Sequence, residues 1–599
     1  MLNSLSSKIY PNLFKFLFLS FIVIAIILRI IGIFSFIPYS LKDDEGIIIN
    51  KIYNLSWNNL NPKFYYYPTF FAYVVFIFCK TLSLVLSKSL SFIDYLIIGR
   101  LISAIFGIGA LFVIIKMTKI ISNRFNTVFF TFLFLSFNAT HIFYSHCAIV
   151  DNVLCFWIIL SVYLIIRFLN HNYYFFIPAI SIGLATATKY SGFLLIIPLV
   201  IGLALDKNLF LTPTKSKIKK VVLFLLIILF ITIYILMLYS PSKIIKFISK
   251  FTEDGYLETF YIDLIKKFPN FLFTIIFIDL IFLIIIFKKS KISYFLVNFF
   301  TNKKFYFSLS IIIFTFLLIF PYAILDFKDN LRGLIFQYRH MKTAGASSFP
   351  ESSNAYNEYI RNILSSKWKG FFYFNILKKD FGIIPLFLVF LGLIYYIYQS
   401  PKKSVILLSF PLIYFIIISG WGYTALRYFL PIIPFFCIFS GLGFDFLIIS
   451  LKRIIFNKFK QKLFFLSFLF LLTFISFFPL IKNGIQEVYT FVLPTTEVKA
   501  AQWIIKNIPD TKKIASEILI PNRNYLFFSS PILSRYSFES LKKANISILV
   551  IIDTDYFFRY KKEYPEIANR YYALQNLKLF KKIEPNSYIK GPVILIYEL

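Results

Sequence analysis

Acids are scarce in this 599-residue chain, 28 against 63 basic residues, so the place of each one carries information. Asp43-Asp44-Glu45 put three carboxylates in a row directly after an apolar run. Such a row could supply a general base, or oxygen ligands for a hard divalent cation such as Mg²⁺ or Mn²⁺; it could equally be a solvated turn. Asp151 closes the segment Tyr144-Ser145-His146-Cys147-Ala148-Ile149-Val150-Asp151. It could share a cation or a base role with Asp44, and it would also serve as a helix N-cap. Lys189, in Gly183-Leu184-Ala185-Thr186-Ala187-Thr188-Lys189-Tyr190, is an isolated cation between two short apolar runs, and Arg100 and Arg427 are similar. Cations in this setting suit a phosphate, or snorkel to lipid headgroups. His146 could carry a proton or a ligand, or simply pack in the core. Tyr65-Tyr66-Tyr67 could line a sugar or lipid channel, or form an interfacial aromatic belt.

The elements that must position these groups are membrane helices. Hydrophobic residues make up 59% of the chain and charged residues only 15%, too few to build a soluble surface. The apolar runs are long enough for helices rather than barrel strands. Spans are expected near 13–36, 96–116, 127–145, 148–168, 173–188, 191–205, 220–240, 269–288, 305–323, 381–400, 403–420, 429–450 and 463–481, about thirteen in all. Residues 68–87 are read as an interfacial or re-entrant helix, because a further crossing there would turn every later Lys-rich loop outward. The net charge of +35 lies mostly in short loops, so it faces anionic headgroups rather than nucleic acid.

With the N-terminus cytoplasmic, the Lys-rich loops 206–219 and 451–462 lie inside, and Asp44, Asp151 and Lys189 lie at the outer boundary. Residues 1–481 then form the membrane domain, with outer loops at 37–95 and 324–375, and 482–599 form a small extracytoplasmic α/β domain. In that domain Thr495 or Thr496 is expected to cap a helix, and strands are expected at 513–517, 546–552 and 593–597. The four cysteines (Cys79, Cys147, Cys155 and Cys437) lie in or beside apolar runs with no C-x-x-C pair, and read as core residues.

Seven segments, in order, resemble one family. Asp44-Glu45 is similar to a D-E pair in its first outer loop, and Asn61-Pro62-Lys63-Phe64-Tyr65-Tyr66-Tyr67-Pro68 to its N-P-x-F-x-Y-P segment. Gly99-Arg100 through Gly107 resembles its R-x-x-S-A-x-x-G helix, Tyr144 through Asp151 its Y-S-H-x-A-x-x-D element, and Gly183 through Tyr190 its G-L-A-x-A-x-K-Y helix end. Phe320-Pro321-Tyr322 through Asp326, and Arg427-Tyr428-Phe429-Leu430-Pro431, resemble later elements. The family is the phospholipid-carrier-dependent glycosyltransferases of the GT-C fold, which include protein O-mannosyltransferases and the lipid A aminoarabinose transferase.

The resemblance implies an all-α polytopic GT-C membrane protein of the cell (inner or plasma) membrane. It implies transfer of a sugar from a polyprenyl-phosphate carrier to a glycan, lipid or protein acceptor at the outer face. Asp44 would act as general base with Glu45 and Asp151 beside it; Lys189, Arg100 and Arg427 would bind the donor phosphate; and Lys63, Tyr67, His146 and Tyr190 would line the substrate channel. Attack opposite the leaving phosphate would invert the anomeric carbon. A divalent cation on Asp44 and Asp151 is optional. The competing reading is a transporter or flippase of a lipid-linked sugar, which would place ionisable groups near the bilayer midplane; Arg29 is the clearest deep charge.

Overall fold

The structure is a computed structural model that describes residues 2–35, 37, 44–168, 174–205, 212–238, 255–287, 290–342, 370–421, 424–455, 459–521, 523–528, 532–553, 565–586, 588–589 and 591–599. Asp43 lies outside these residues, as does the middle of 324–375.

The chain is a multi-pass membrane protein of apolar helices followed by a small sheet. The first half forms α1 (Leu2–Ile30), α2 (Glu45–Tyr53), α3 (Phe70–Val85), α4 (Phe92–Ile121), α5 (Phe125–Ser136), α6 (Ala139–Ser145), α7 (Val150–Phe168) and α8 (Phe176–Thr188). Among the described residues, seven helices are long and apolar enough to cross a membrane, and up to ten if each of three bent pairs is one span. The remaining expected spans, 13–36, 173–188 and 191–205, are shorter apolar helices, as is α3 in the segment read as interfacial. The break between the spans 173–188 and 191–205 falls at Lys189, after which the chain tightens into the 3-10 turn Tyr190–Leu195.

Local chemistry fixes the ends. The 30 residues of α4 give about 45 Å of helix, and its start is a capping box: Ser91 Oγ accepts from the Asp94 amide and Asp94 accepts from the Ser91 amide. α5 and α6 form one bent pair, turned by 59°, with Asn138 capping α6 through the His141 amide at 2.9 Å. The break leaves carbonyls at the end of α5 without helical partners. Arg29 meets them, donating to Leu135 O at 2.9 Å and Ser136 O at 3.2 Å, with His141 Nδ1 at 3.0 Å. The deep charge of α1 is therefore bound to a broken helix end, where a cation is favoured.

The helices Ile383–Gln399 and Ile433–Ile455 pack at Gly392 and Gly443, where a Cβ on either would collide with backbone of the other helix. Small residues at a membrane crossing allow this approach. The last membrane helix, Phe459–Val492, runs past the expected boundary at 481.

Beyond it, Thr495 caps Thr496–Asn507, accepting from the Val498 amide. Five strands form one sheet in the order β2-β1-β3-β5-β4. β1 (Ile514–Ser516), β2 (Tyr525–Phe527) and β3 (Ile548–Asp553) are parallel; β5 (Val593–Glu598) runs antiparallel to β3 and to β4 (Lys578–Ile583). β2 and β4 are the two strands that sequence reading missed. They are the edges: β2 has three residues, and β4 carries three lysines, which blunt an open edge and hide the apolar alternation.

Gly392→Leu would force the two helices apart. The expected result is a loss of about 1–3 kcal/mol, read as a lower melting midpoint of the detergent-solubilised protein. An unchanged midpoint would contradict the close crossing.

Candidate active site

Two consecutive acids at the start of α2 have opposite environments. Glu45 is sealed. Its carboxylate accepts from Arg100 Nε at 2.8 Å and Nη2 at 2.7 Å, and from the Ala148 amide at 2.6 Å. Arg100 on α4 also donates to Ile33 O at 3.1 Å and Ser35 O at 3.3 Å. One guanidinium thereby ties α4 to the turn after α1, the start of α2 and, through Glu45, the turn before α7. The planar fork suits this bidentate grip, which an ammonium could not reproduce.

Asp44 is open. Its side chain is 31% exposed, against 0% for Glu45 and 2% for Asp151. It is the N-cap residue of α2 but makes no side-chain cap bond. Instead one oxygen, Oδ2, takes Arg427 Nη1 at 3.0 Å and the Tyr67 hydroxyl at 3.0 Å. Burial, then the Asp44 charge, raise the Tyr67 phenol well above its usual range, so it stays protonated and donates.

Asp151 lies in the first turn of α7 rather than at its cap, and pairs with Lys189 Nζ at 2.6 Å. Lys189 is the C-cap of α8. An acid at a helix start and a cation at a helix end both lie along the helix dipole. The Lys189 ammonium stands 5.5 Å from the Tyr67 ring centroid and 4.9 Å from that of Tyr428. Tyr67 and Tyr428 thus connect the Asp44–Arg427 pair to the Asp151–Lys189 pair.

A second network braces the loop before α3. The Tyr65 hydroxyl donates to Asp326 Oδ2 at 2.7 Å, and Asn61 Nδ2 reaches the same oxygen. Burial, then this bond, push the Tyr65 phenol up to about 12. The Tyr190 hydroxyl stands 3.0 Å from both the Tyr65 carbonyl and Asn330 Oδ1. Tyr66 stacks on Phe336 at 5.1 Å, and Gly333 lets helix Phe327–Lys342 close on Tyr65.

The expected site residues divide accordingly. Asp44, Asp151, Lys189, Arg427 and Tyr67 come together. Tyr190 lies one layer away, against Tyr65 and Asn330. Lys63 is exposed at φ 46°, with its amide on Asn61 Oδ1. Three of the expected residues lie apart from this group. Glu45 and Arg100 are not open to a substrate, because they saturate one another in the interior. His146 lines no channel: it is fully buried, with Nδ1 2.8 Å from Ile142 O, Nε2 2.7 Å from Ile31 O, and its ring stacked on Phe491. Sequence reading quoted Tyr428 and Asp326 without roles, read Tyr65 only as a channel or belt residue, and missed Asn330. The periodicity of 327–342 was a usable signal, hidden inside a loop reading.

Residues 70–245 match the family model described as dolichyl-phosphate-mannose-protein mannosyltransferase. That stretch holds Arg100, Asp151 and Lys189, and the resemblance to lipid-carrier glycosyltransferases rests on it together with the ordered motifs. No curated protein matches. Among solved structures, the chain is similar to the archaeal oligosaccharyltransferase AglB from Archaeoglobus fulgidus, in complex with an inhibitory peptide and a dolichol-phosphate. Identity is 15%, coverage 96% of this chain and 74% of that one, and the TM-score 0.48. It is also similar to ArnT from Cupriavidus metallidurans bound to undecaprenyl phosphate, at 11% identity, 96% and 97% coverage and a TM-score of 0.42.

The geometry separates fold from chemistry. Arg100→Met strands the buried Glu45 charge and should cost about 3–5 kcal/mol of stability, while Asp44→Asn, at an acid 31% exposed whose amide oxygen can still accept from Arg427 and Tyr67, should cost clearly less. Equal losses would contradict the division.

Proposed function

We propose that the protein is a glycosyltransferase that moves a sugar from a polyprenyl-phosphate carrier to an acceptor at the outer face of the cell membrane, with inversion. The observation that carries this reading is one accessible acid, Asp44, paired with Arg427 beside a second pair, Asp151–Lys189, with the rings of Tyr67 and Tyr428 joining the two pairs. An acceptor hydroxyl reaches Asp44 from the aqueous side, and Asp44 takes its proton as the sugar bond forms. Arg427 and Lys189 meet the negative charge that builds on the leaving phosphate. Tyr67 orients the Asp44 carboxylate by holding one oxygen. Asp151 fixes Lys189. No covalent glycosyl-enzyme is needed. The N-terminus is cytoplasmic, residues 1–481 carry the membrane part, and 482–599 form an extracytoplasmic domain.

A divalent cation on Asp44 and Asp151 would compete with Arg427 and Lys189 for the same oxygens. Among the described residues no group of three or more His, Cys, Asp and Glu side chains could hold a metal. In this reading Arg427 and Lys189 meet the phosphate charge, and a divalent cation on Asp44 and Asp151 stays optional. The flippase reading loses its main residue, since Arg29 is engaged by helix-end carbonyls and His141.

The test is transfer of label from polyprenyl-phosphate hexoses to membrane-extract acceptors by the purified protein. Asp44→Asn should lower transfer by about 10²–10⁴-fold. Transfer equal to wild type would remove Asp44 as the base. With EDTA in the same assay, wild-type transfer should fall by less than threefold; a larger loss restored by Mg²⁺ or Mn²⁺ would assign the neutralising role to a metal.

A further inference from the structure

We infer that Tyr428 is a positioning residue whose ring holds Lys189 and Arg427 together as a two-cation seat for the phosphate of a lipid carrier, an inference that rests on the function proposed above. The Tyr428 ring is almost fully buried, 2% exposed, and braced edge-on by Trp421 at 5.3 Å. The Lys189 ammonium lies 4.9 Å from its centroid and the Arg427 guanidinium 5.4 Å. Two cations near one ring repel each other, and the arrangement persists because the ring's electron-rich face and two carboxylates offset that repulsion.

The ring matters because of what happens when phosphate arrives. In the resting site Asp44 faces Arg427 and Asp151 faces Lys189, so charges balance pair by pair. A phosphate must draw both cations partly away from these carboxylates. A ring face supplies attraction without a formal charge and without a directional bond, so a cation can tilt toward phosphate and keep it. Tyr67 also neighbours Lys189, but its hydroxyl is committed to Asp44. Tyr428 neighbours both cations, so it sets their spacing. Sequence neighbours enforce this: Arg427 and Tyr428 share the 3-10 turn Leu426–Tyr428 just before the helix Ile433–Ile455.

The experiment measures binding of polyprenyl phosphate and of the matching polyprenol, which lacks the phosphate, to the full-length protein in detergent. Tyr428→Phe keeps the ring and should bind polyprenyl phosphate within twofold of wild type. Tyr428→Leu should bind it about tenfold more weakly and bind polyprenol as wild type does. A series of fluorinated phenylalanines at position 428 keeps the shape while draining charge from the ring face. Affinity for the phosphate should fall stepwise with fluorine number, whether or not Tyr428→Leu folds. A flat fluorine series, or an equal loss of polyprenol binding, overturns the seat and leaves the proposed function intact. Wild type that binds no polyprenyl phosphate overturns both.

Discussion

The bidentate pair between Glu45 and Arg100 is the interaction on which the rest of the site depends. It is buried at 0% and 1% exposure, where an unpaired charge would be untenable, so the segments that carry it have one arrangement available. Glu45 is adjacent to Asp44, and the Ala148 amide it accepts from lies three residues before Asp151. Fixing Glu45 therefore fixes the approach of both Asp44 and Asp151. The clamp lies in the interior, and the more exposed Asp44 lies at its rim.

Around it the same device recurs. Arg29 meets the broken end of α5, Lys189 ends α8 and Asp151 begins α7: each charge sits where a helix leaves backbone groups or dipole uncompensated. Helix breaks in an apolar protein are costly unless polar side chains meet them. Here the breaks bring those side chains in, and at Asp151 and Lys189 the result is a buried ion pair.

Much of this was legible in the sequence. Rare acids between long apolar runs pointed to the boundary, and Asp44, Asp151, Lys189, Arg427 and Tyr67 do converge. What the sequence could not show was burial. Asp44 and Glu45 are the same chemistry one residue apart, and only the fold turns one outward and one onto Arg100. His146 looked like chemistry because imidazole is versatile, yet two backbone carbonyls and Phe491 claim it. Asn330 was lost because 324–375 reads as a polar loop; its first part is a helix whose Gly333 closes on Tyr65. In the C-terminal sheet, buried β3 was found from its apolar run, while edge strands β2 and β4 were too short or too charged to stand out.

The most direct measurement is a cryo-electron microscopy structure of the protein with polyprenyl phosphate. The account predicts the phosphate within hydrogen-bonding reach of both Lys189 and Arg427, Asp44 facing the open side, and the Glu45–Arg100 pair unchanged. A phosphate bound by Arg100, with Glu45 released, would contradict it.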